Sequence, residues 1–423
     1  MRRLLVLGGG TAGTMLANKL RPRLARDQWE ICVVDRDDSH HYQPGWLLLP
    51  FGTYTPTQLV RQRHLLLAKG VEFVLGVVDR VDAGSSTVSL DDGRILPYDY
   101  LVIATGVQPR PDQTPGMLGG EWRRTIFDFY SSQGAAALRQ ALAGFDSGRL
   151  VVHVTDMPIK CSVAPLEFTF LADAMLREKG IRDRVELVFV TPLPGAFTKP
   201  IAAAHLGTML EERGVVLEPD FLVERIEGRT LVSYDERRID FDLLVTIPLN
   251  MGADFLARSG LGNELNLVDV DKHTMRSTVY DNVFAIGDAA DLPTSKAGSV
   301  AHFAVDVFAG NFQQLIAGRP MTGSFDGHAN CFIESGGGKG LLIDFNYDTE
   351  PLPGSYPLPG VGPFRLLAES RINHLGKLAF RWVYWNVLLP GRRVPLPDHM
   401  SMAGKSVPDE DPATTTIGTR GAS

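Results

Sequence analysis

The stretch Leu4-Leu5-Val6-Leu7-Gly8-Gly9-Gly10-Thr11-Ala12-Gly13 decides the fold. Four apolar residues in a row read as a buried parallel strand. The glycines that follow fit the G-x-G-x-x-G spacing. A helical pattern then runs from Thr11 to about Leu20, where Arg21-Pro22 ends it. In such a loop the first glycine allows the tight turn, and the second lets backbone N–H groups approach a pyrophosphate. The third lets the helix pack on the sheet, and the helix N-terminus stabilises the phosphate charge. A second strand, Trp29 to Val34, leads to Asp35, about 20 residues beyond the last glycine, where a carboxylate accepts hydrogen bonds from a ribose hydroxyl. The chain opens with a dinucleotide-binding βαβ unit whose contacts are Gly8, Gly10, Thr11, Ala12, Gly13 and Asp35.

The plan then recurs. Glu72 to Ser89 reads as a β-meander, with Asp91-Asp92-Gly93 as a hairpin signal. Tyr100 to Ile103 is a buried strand ending in Ala104-Thr105-Gly106. A strand at Leu150 to Val154, a helix from about Pro165 to Lys179, a strand at Val185 to Val190 and a meander from Leu231 to Asp242 follow the same order. Asp242-Leu243-Leu244-Val245 echoes Asp99-Tyr100-Leu101-Val102. Val283 to Ile286 is a further strand leading into Gly287-Asp288, and Ala301 to Ile316 is helical. The expected class is α/β, with two tandem Rossmann-like domains, β-meander insertions and a C-terminal membrane-binding module. Residues 1–110 begin the first domain and 251–324 complete it. Residues 111–250 form the second domain, 325–400 the C-terminal module, and 401–423 a disordered tail rich in Thr, Pro, Asp and Gly.

Bulk properties narrow the function. The chain has 423 residues, 44% of them hydrophobic and 22% charged, as expected for a folded protein with more than one core. A net charge of −7 argues against a nucleic-acid partner. The 3 cysteines form no CxxC pair, so no metal site is expected, and they are too few for a secreted disulfide framework. No run of about 18 apolar residues is present to span a bilayer. Met1-Arg2-Arg3 leads straight into the first strand without a signal-peptide pattern, which favours the cytoplasmic side.

The Ala104-Thr105-Gly106 and Gly287-Asp288 turns resemble those of the two-dinucleotide-domain flavoproteins. The resemblance implies FAD, with Ala104, Thr105 and Gly106 approaching the nucleotide and Gly287 and Asp288 at the ribityl chain. Lys296 resembles a family lysine near the flavin pyrimidine. NADH-using relatives carry a second glycine fingerprint after the first strand of the second repeat. Here Thr155 to Pro165 has none and holds a cysteine instead, so NAD(P)H binding is disfavoured.

Cys161 is expected at or just before a helix N-terminus beside Lys160, two features that lower a thiol pKa. Cys331 lies far downstream in Asn330-Cys331-Phe332-Ile333-Glu334-Ser335-Gly336. The P-x-K-C-x-x-A-P segment around Cys161 and the C-F-I-E-S-G segment around Cys331 resemble the redox cysteines of sulfide:quinone oxidoreductases, over residues 1 to 395. The resemblance implies a Cys161/Cys331 pair, bridged at rest, that is opened by hydrosulfide to a persulfide. Cys331 would carry the growing persulfide and Cys161 would lie nearest the flavin. Electrons would pass through FAD to ubiquinone or menaquinone. Many members have a third cysteine where this chain reads Arg124-Thr125-Ile126-Phe127, so the flavin is expected to be non-covalent. Cys32 is assigned no chemistry. Glu167 and Glu334 are weighed as proton relays but read as surface carboxylates. His153 and His302 read as core residues, and Ser335 to Gly340 fails the P-loop spacing.

Phe364 to Leu389 mixes aromatic, aliphatic and basic residues in a way that suits a bilayer interface. Phe332, Phe380 and Tyr384 are the expected quinone contacts. The expected placement is peripheral, on the cytoplasmic face of the inner membrane, and homo-oligomerisation is left open. Two alternatives share the flavin motifs: a type II NADH:quinone dehydrogenase, and the flavoprotein subunit of a flavocytochrome c sulfide dehydrogenase.

Overall fold

In the computed structural model, which describes residues 1–360, 362–394 and 397–407, Arg2–Leu7 is the middle strand of a five-stranded parallel sheet. The order is Val283–Ala285, Tyr100–Ile103, Arg2–Leu7, Trp29–Asp35 and Glu72–Leu75. Leu4, Leu5, Val6 and Leu7 are all fully buried. A strand covered on both faces needs apolar residues at every position, which explains the unbroken run. The helix Thr11–Leu20 follows directly and packs against Gly298–Ile316.

Glu72–Leu75 departs from expectation. It is the parallel edge strand of this sheet, and the antiparallel meander begins only at Val78, with strands Val78–Asp82, Thr87–Leu90 and Ile95–Pro97. An edge strand and a hairpin strand are both half-covered and alternate alike, so the pattern alone does not separate them.

The second sheet repeats the first strand for strand. Its order is Ile126–Phe127, Leu243–Ile247, Gly148–Val154, Val185–Val190 and Val216–Glu218, all parallel. Its meander comprises Val223–Glu227, Thr230–Ser233 and Arg238–Asp240. The chain completes this second sheet before it supplies the last strand of the first. Ligand-binding loops are expected beyond the carboxyl ends of such strands. Those positions hold the Gly8 turn in one sheet and the Thr155–Cys161 loop in the other.

A third sheet, in the order Ala329–Gly336, Lys339–Phe345, Phe364–Leu366, Gly354–Tyr356, carries Cys331 on its first strand. Gly337 and Gly338, with φ of +59° and +70°, turn the hairpin between its first two strands. The glycine run rejected as a P-loop is therefore a hairpin turn. The helix Arg371–Val383 follows, with the Ser370 hydroxyl accepting from the Asn373 amide at its start, and continues into a wider π-type turn over Tyr384–Leu388.

Disorder expected from residue 401 does not hold for 401–407. Ser355 N donates to the carbonyl of Gly404 (2.9 Å), and Ser406 N to that of Pro353 (2.8 Å). Lys405 places its ammonium 2.5 Å from Asp344, and both side chains are almost fully buried. The rest of the expected tail lies outside the described residues.

Candidate active site

Steric surroundings divide the glycines of the N-terminal turn. A Cβ on Gly8 (φ +97°) would sit 2.5 Å from the carbonyl oxygen of Ala104, and one on Gly13 would sit 1.8 Å from that of Gly8. Around Gly10 and Gly106 nothing lies within 4 Å of such an atom. Gly8 and Gly13 thus close the turn, while Gly10 leaves open space at the helix N-terminus, as a pyrophosphate requires, and Gly106 leaves space in the loop after Tyr100–Ile103. The buried Thr105 hydroxyl has no partner among the described residues. These features fit a bound dinucleotide.

Asp35 acts on the loop itself. Its Oδ2 accepts from the Gly9 amide (2.7 Å), and its Oδ1 pairs with Arg63 Nη1 (2.7 Å). Burial raises the Asp35 pKa, against which the Arg63 charge works. Arg63 is buried against Gly9 and was not singled out from the sequence, because it lies in a short irregular turn with no motif around it.

Tyr384 reaches back to the N-terminal turn. Its buried hydroxyl lies 2.7 Å from Thr11 Oγ1 and 2.7 Å from His40 Nε2, while His40 Nδ1 lies 3.1 Å from the Gly9 carbonyl oxygen. That carbonyl can only accept, so Nδ1 carries the proton, Tyr384 donates to Nε2, and Thr11 donates to Tyr384. Burial pushes the His40 pKa down to about 3, which keeps the ring neutral as this pattern needs. Tyr384 thus ties the C-terminal segment to the nucleotide turn through its hydroxyl.

Gly287 and Asp288 form a turn directly after the strand Val283–Ala285. Lys296 is buried and donates from Nζ to the carbonyls of Asp288 (2.9 Å) and Ala290 (3.1 Å). Its own carbonyl accepts from the Cys161 amide (2.7 Å). One segment thus ties the Gly287–Asp288 turn to the Cys161 loop. Cys161 precedes the helix Ala164–Glu178 and holds φ at +49°, a left-handed conformation that few non-glycine residues adopt.

The expected thiolate is not supported at this position. Burial, then the Glu167 carboxylate, push the Cys161 thiol up to about 12, and Lys377 and the Ala164 amide only partly oppose them. Lys160 directs its ammonium to Gln43 Oε1 (3.1 Å) and toward the rings of Trp46 and Tyr130. Cys331 is buried, and its thiol is pushed up by burial and by the neighbouring Cys161. The helix that follows Cys161 packs on the strand that carries Cys331, and both cysteines are free thiols here. Cys32 is fully buried in the first sheet.

Glu167 and Glu334 are not surface carboxylates. Glu167 is fully buried, and its Oε1 accepts from Lys377 Nζ (2.6 Å) and from the Glu334 amide (2.8 Å). Lys377 also donates to the carbonyl of Phe332 (3.0 Å). The Glu334 side chain is buried as well, and its Oε2 accepts from His374 Nδ1 (2.8 Å). His153 and His302 are buried, as expected.

Phe332 packs edge-on against Phe364 (5.2 Å) beside Gly376 of the C-terminal helix, where a Cβ would fall within 3 Å of both rings. Phe380 is half-buried next to Tyr42. On the opposite side of the helix, Ile372, Leu375, Ala379 and Trp382 form an exposed stripe, with Trp382 64% exposed. No described helix is long and apolar enough to cross a membrane. Among the described residues no group of three or more His, Cys, Asp or Glu is placed to hold a metal ion.

Two parallel sheets of matching order, a glycine turn open for a dinucleotide and a cysteine loop in the second repeat define an oxidoreductase class. The model of the pyridine nucleotide-disulphide oxidoreductase family matches residues 2–307, and the chain belongs to that family. The mitochondrial sulfide:quinone oxidoreductase of Mus musculus is 27% identical over 403 residues, covering 92% of this chain and 86% of that protein. The X-ray structure of the sulfide:quinone oxidoreductase from Aquifex aeolicus shares the fold with a TM-score of 0.76 at 20% identity, covering 91% of this chain and 92% of that one. A type II NADH:quinone oxidoreductase of Haemophilus influenzae is 25% identical over 373 residues, covering 76% of this chain and 82% of that protein.

Proposed function

We propose that this chain is an FAD-dependent sulfide:quinone oxidoreductase. The observation that supports this reading is the packing of the helix after Cys161 on the strand of Cys331, together with the bonds from the Cys161 amide to Lys296 and from Lys296 to the Asp288 carbonyl. FAD is held non-covalently by Gly8, Gly10, Thr11, Ala12, Gly13, Asp35, Ala104, Thr105, Gly106, Gly287 and Asp288, with Lys296 and Arg63 bracing the turns. When bound, the flavin accepts an electron pair and delivers it to ubiquinone or menaquinone. The chain's own part is to present two sulfur atoms that can form a bridge, accept hydrosulfide and hold the resulting persulfide. Cys331 carries the persulfide and Cys161 lies on the flavin side. Phe332, Phe380 and Tyr384 line the quinone approach.

The exposed stripe Ile372, Leu375, Ala379 and Trp382 lies in the interface of a membrane, on the cytoplasmic face of the inner membrane. A type II NADH dehydrogenase remains the nearest rival by similarity. The Thr155–Pro165 loop weighs against it, because without glycines the backbone has no close approach to a second pyrophosphate.

Anaerobic stopped-flow absorbance tests the proposal. Sulfide should bleach the flavin in the wild type and fail to do so in Cys161→Ser, and NADH should bleach neither. Bleaching of both proteins by NADH would reject the sulfide reading.

A further inference from the structure

A buried run of ionisable groups leads from the two thiols to the surface. Glu167, Lys377 and Glu334 lie between the Cys161 helix, the Cys331 strand and the C-terminal helix, and His374, 27% exposed at its side chain, stands at the outer end. The Lys377 ammonium pairs with Glu167, and His374 pairs with Glu334. Each carboxylate keeps one oxygen, Glu167 Oε2 and Glu334 Oε1, without a partner among the described residues. The cluster thus strings two carboxylates, an ammonium and an imidazole into one hydrogen-bonded run able to pass a proton. Its inner end faces the two cysteines: Glu167 lies in the first turn of the helix that follows Cys161, and its oxygen and the Lys377 ammonium are both bonded to backbone of the strand that carries Cys331. Tyr42 and Tyr130 also face Glu167, and burial holds both phenols well above their ordinary range.

We infer that Glu167 exchanges protons with the sulfur at Cys161 and Cys331, and that Lys377, Glu334 and His374 connect it to solvent. The inference rests on the sulfide reading. Hydrosulfide adds to the Cys161–Cys331 disulfide: one S–S bond forms, one breaks, and the products are a persulfide, R–S–SH, and a thiolate. For that sulfur to reach the zero-valent state, HS⁻ must lose one proton and two electrons. The electrons leave through the flavin to the quinone, and the proton passes to the Glu167 carboxylate. Cys331 is buried and Cys161 only partly exposed, so a carboxylate packed beside them is better placed than bulk water to take the proton.

The test combines an equilibrium and a kinetic measurement on the holoprotein. Thiol-reduced protein is alkylated with iodoacetamide across pH 7 to 10, and Cys161 is followed by mass spectrometry. Flavin bleaching by sulfide is then measured over the same range for wild type, Glu167→Gln, Glu167→Asp and His374→Asn. In Glu167→Gln the alkylation of Cys161 should be at least about ten-fold faster at pH 9, because Lys377 then faces the thiols alone. Bleaching should nevertheless be at least about ten-fold slower and lose its acid limb. Glu167→Asp should restore that limb. Bleaching in His374→Asn should be slow in dilute buffer and recover with added imidazole, a response that a purely structural histidine does not give. Wild-type alkylation and pH profiles in Glu167→Gln overturn the inference, and indifference of His374→Asn to imidazole overturns its exit route. If sulfide fails to bleach the wild type, the sulfide reading falls, and the alkylation profile still decides whether Glu167 governs the thiols.

Discussion

Gly10 and Gly13 belong to one motif yet are required for different reasons. A methyl group on Gly13 meets the Gly8 carbonyl at 1.8 Å, whereas one on Gly10 meets nothing within 4 Å. Gly13→Ala should therefore fail to accumulate as folded protein. Gly10→Ala should melt within a few degrees of the wild-type apoprotein but lose flavin on dialysis, because the methyl enters the space left for phosphate. Melting curves with and without added FAD separate the two cases. This part of the site was legible in the sequence because every contact involved is local. The ionisation of Cys161 was not. The adjacent Lys160 and the helix start suggested a thiolate, but Glu167 and the walls that bury the sulfur are assembled by folding. With its pKa raised to about 12, the Cys161 thiol stays protonated from neutral pH upward until that value is approached. Alkylation of reduced wild type should accordingly be very slow at pH 7 and rise steadily through pH 10. A plateau reached below pH 8 would contradict the raised thiol pKa.

The C-terminal helix has one face for the protein and one for something outside it. Inward, Lys377 and His374 reach the buried carboxylates, and Gly376 lets the helix press on Phe332 and Phe364. Outward, Leu375 and Trp382 are more than half exposed. Leu375→Glu with Trp382→Glu should leave stability within about 1 kcal/mol, as expected for exposed positions. The same pair should abolish sedimentation with vesicles of anionic lipid, and retained sedimentation would remove this face from the membrane reading. The π-type turn after the helix has a second attachment. Tyr384→Phe leaves the buried His40 Nε2 without its donor and should lower stability by about 1–3 kcal/mol in urea unfolding. Composition alone revealed an amphipathic segment between Phe364 and Leu389. It could not reveal that Tyr384 reaches a threonine at the start of the chain, because sequence periodicity carries no information about partners so far away.

Across the whole molecule, the end of the described chain is fastened to the sheet that bears Cys331. Asp344 pairs with Lys405 and His328, and Asn330 Nδ2 donates to the same carboxylate (3.1 Å). Burial alone would raise the Asp344 pKa, but the His328 hydrogen bond and the charges of His328 and Lys405 outweigh it and hold it below the ordinary 3.8. A carboxyl depressed in this way stabilises the fold fully above its unfolded value. That contribution is lost as the pH falls through the folded one. Lys405→Met should cost about 3 kcal/mol at pH 7, since it leaves a buried carboxylate without its lysine, and it should flatten the loss of stability below pH 4. Urea midpoints across pH 3 to 7 report both effects. Composition suggested a loose tail here, because a single lysine among polar residues gives no sign of the pocket that receives it. The interleaving of the two large sheets bears on how the protein is made. Arg2–Leu7 leaves the ribosome first, yet its sheet lacks an edge until Val283–Ala285 arrives, and Thr11 waits still longer for Tyr384. At about 5–20 residues per second that is a delay on the order of half a minute. During it the second sheet, whose strands all lie between residues 126 and 247, can assemble first. A nascent chain would therefore take up its flavin late, as the closing act of synthesis.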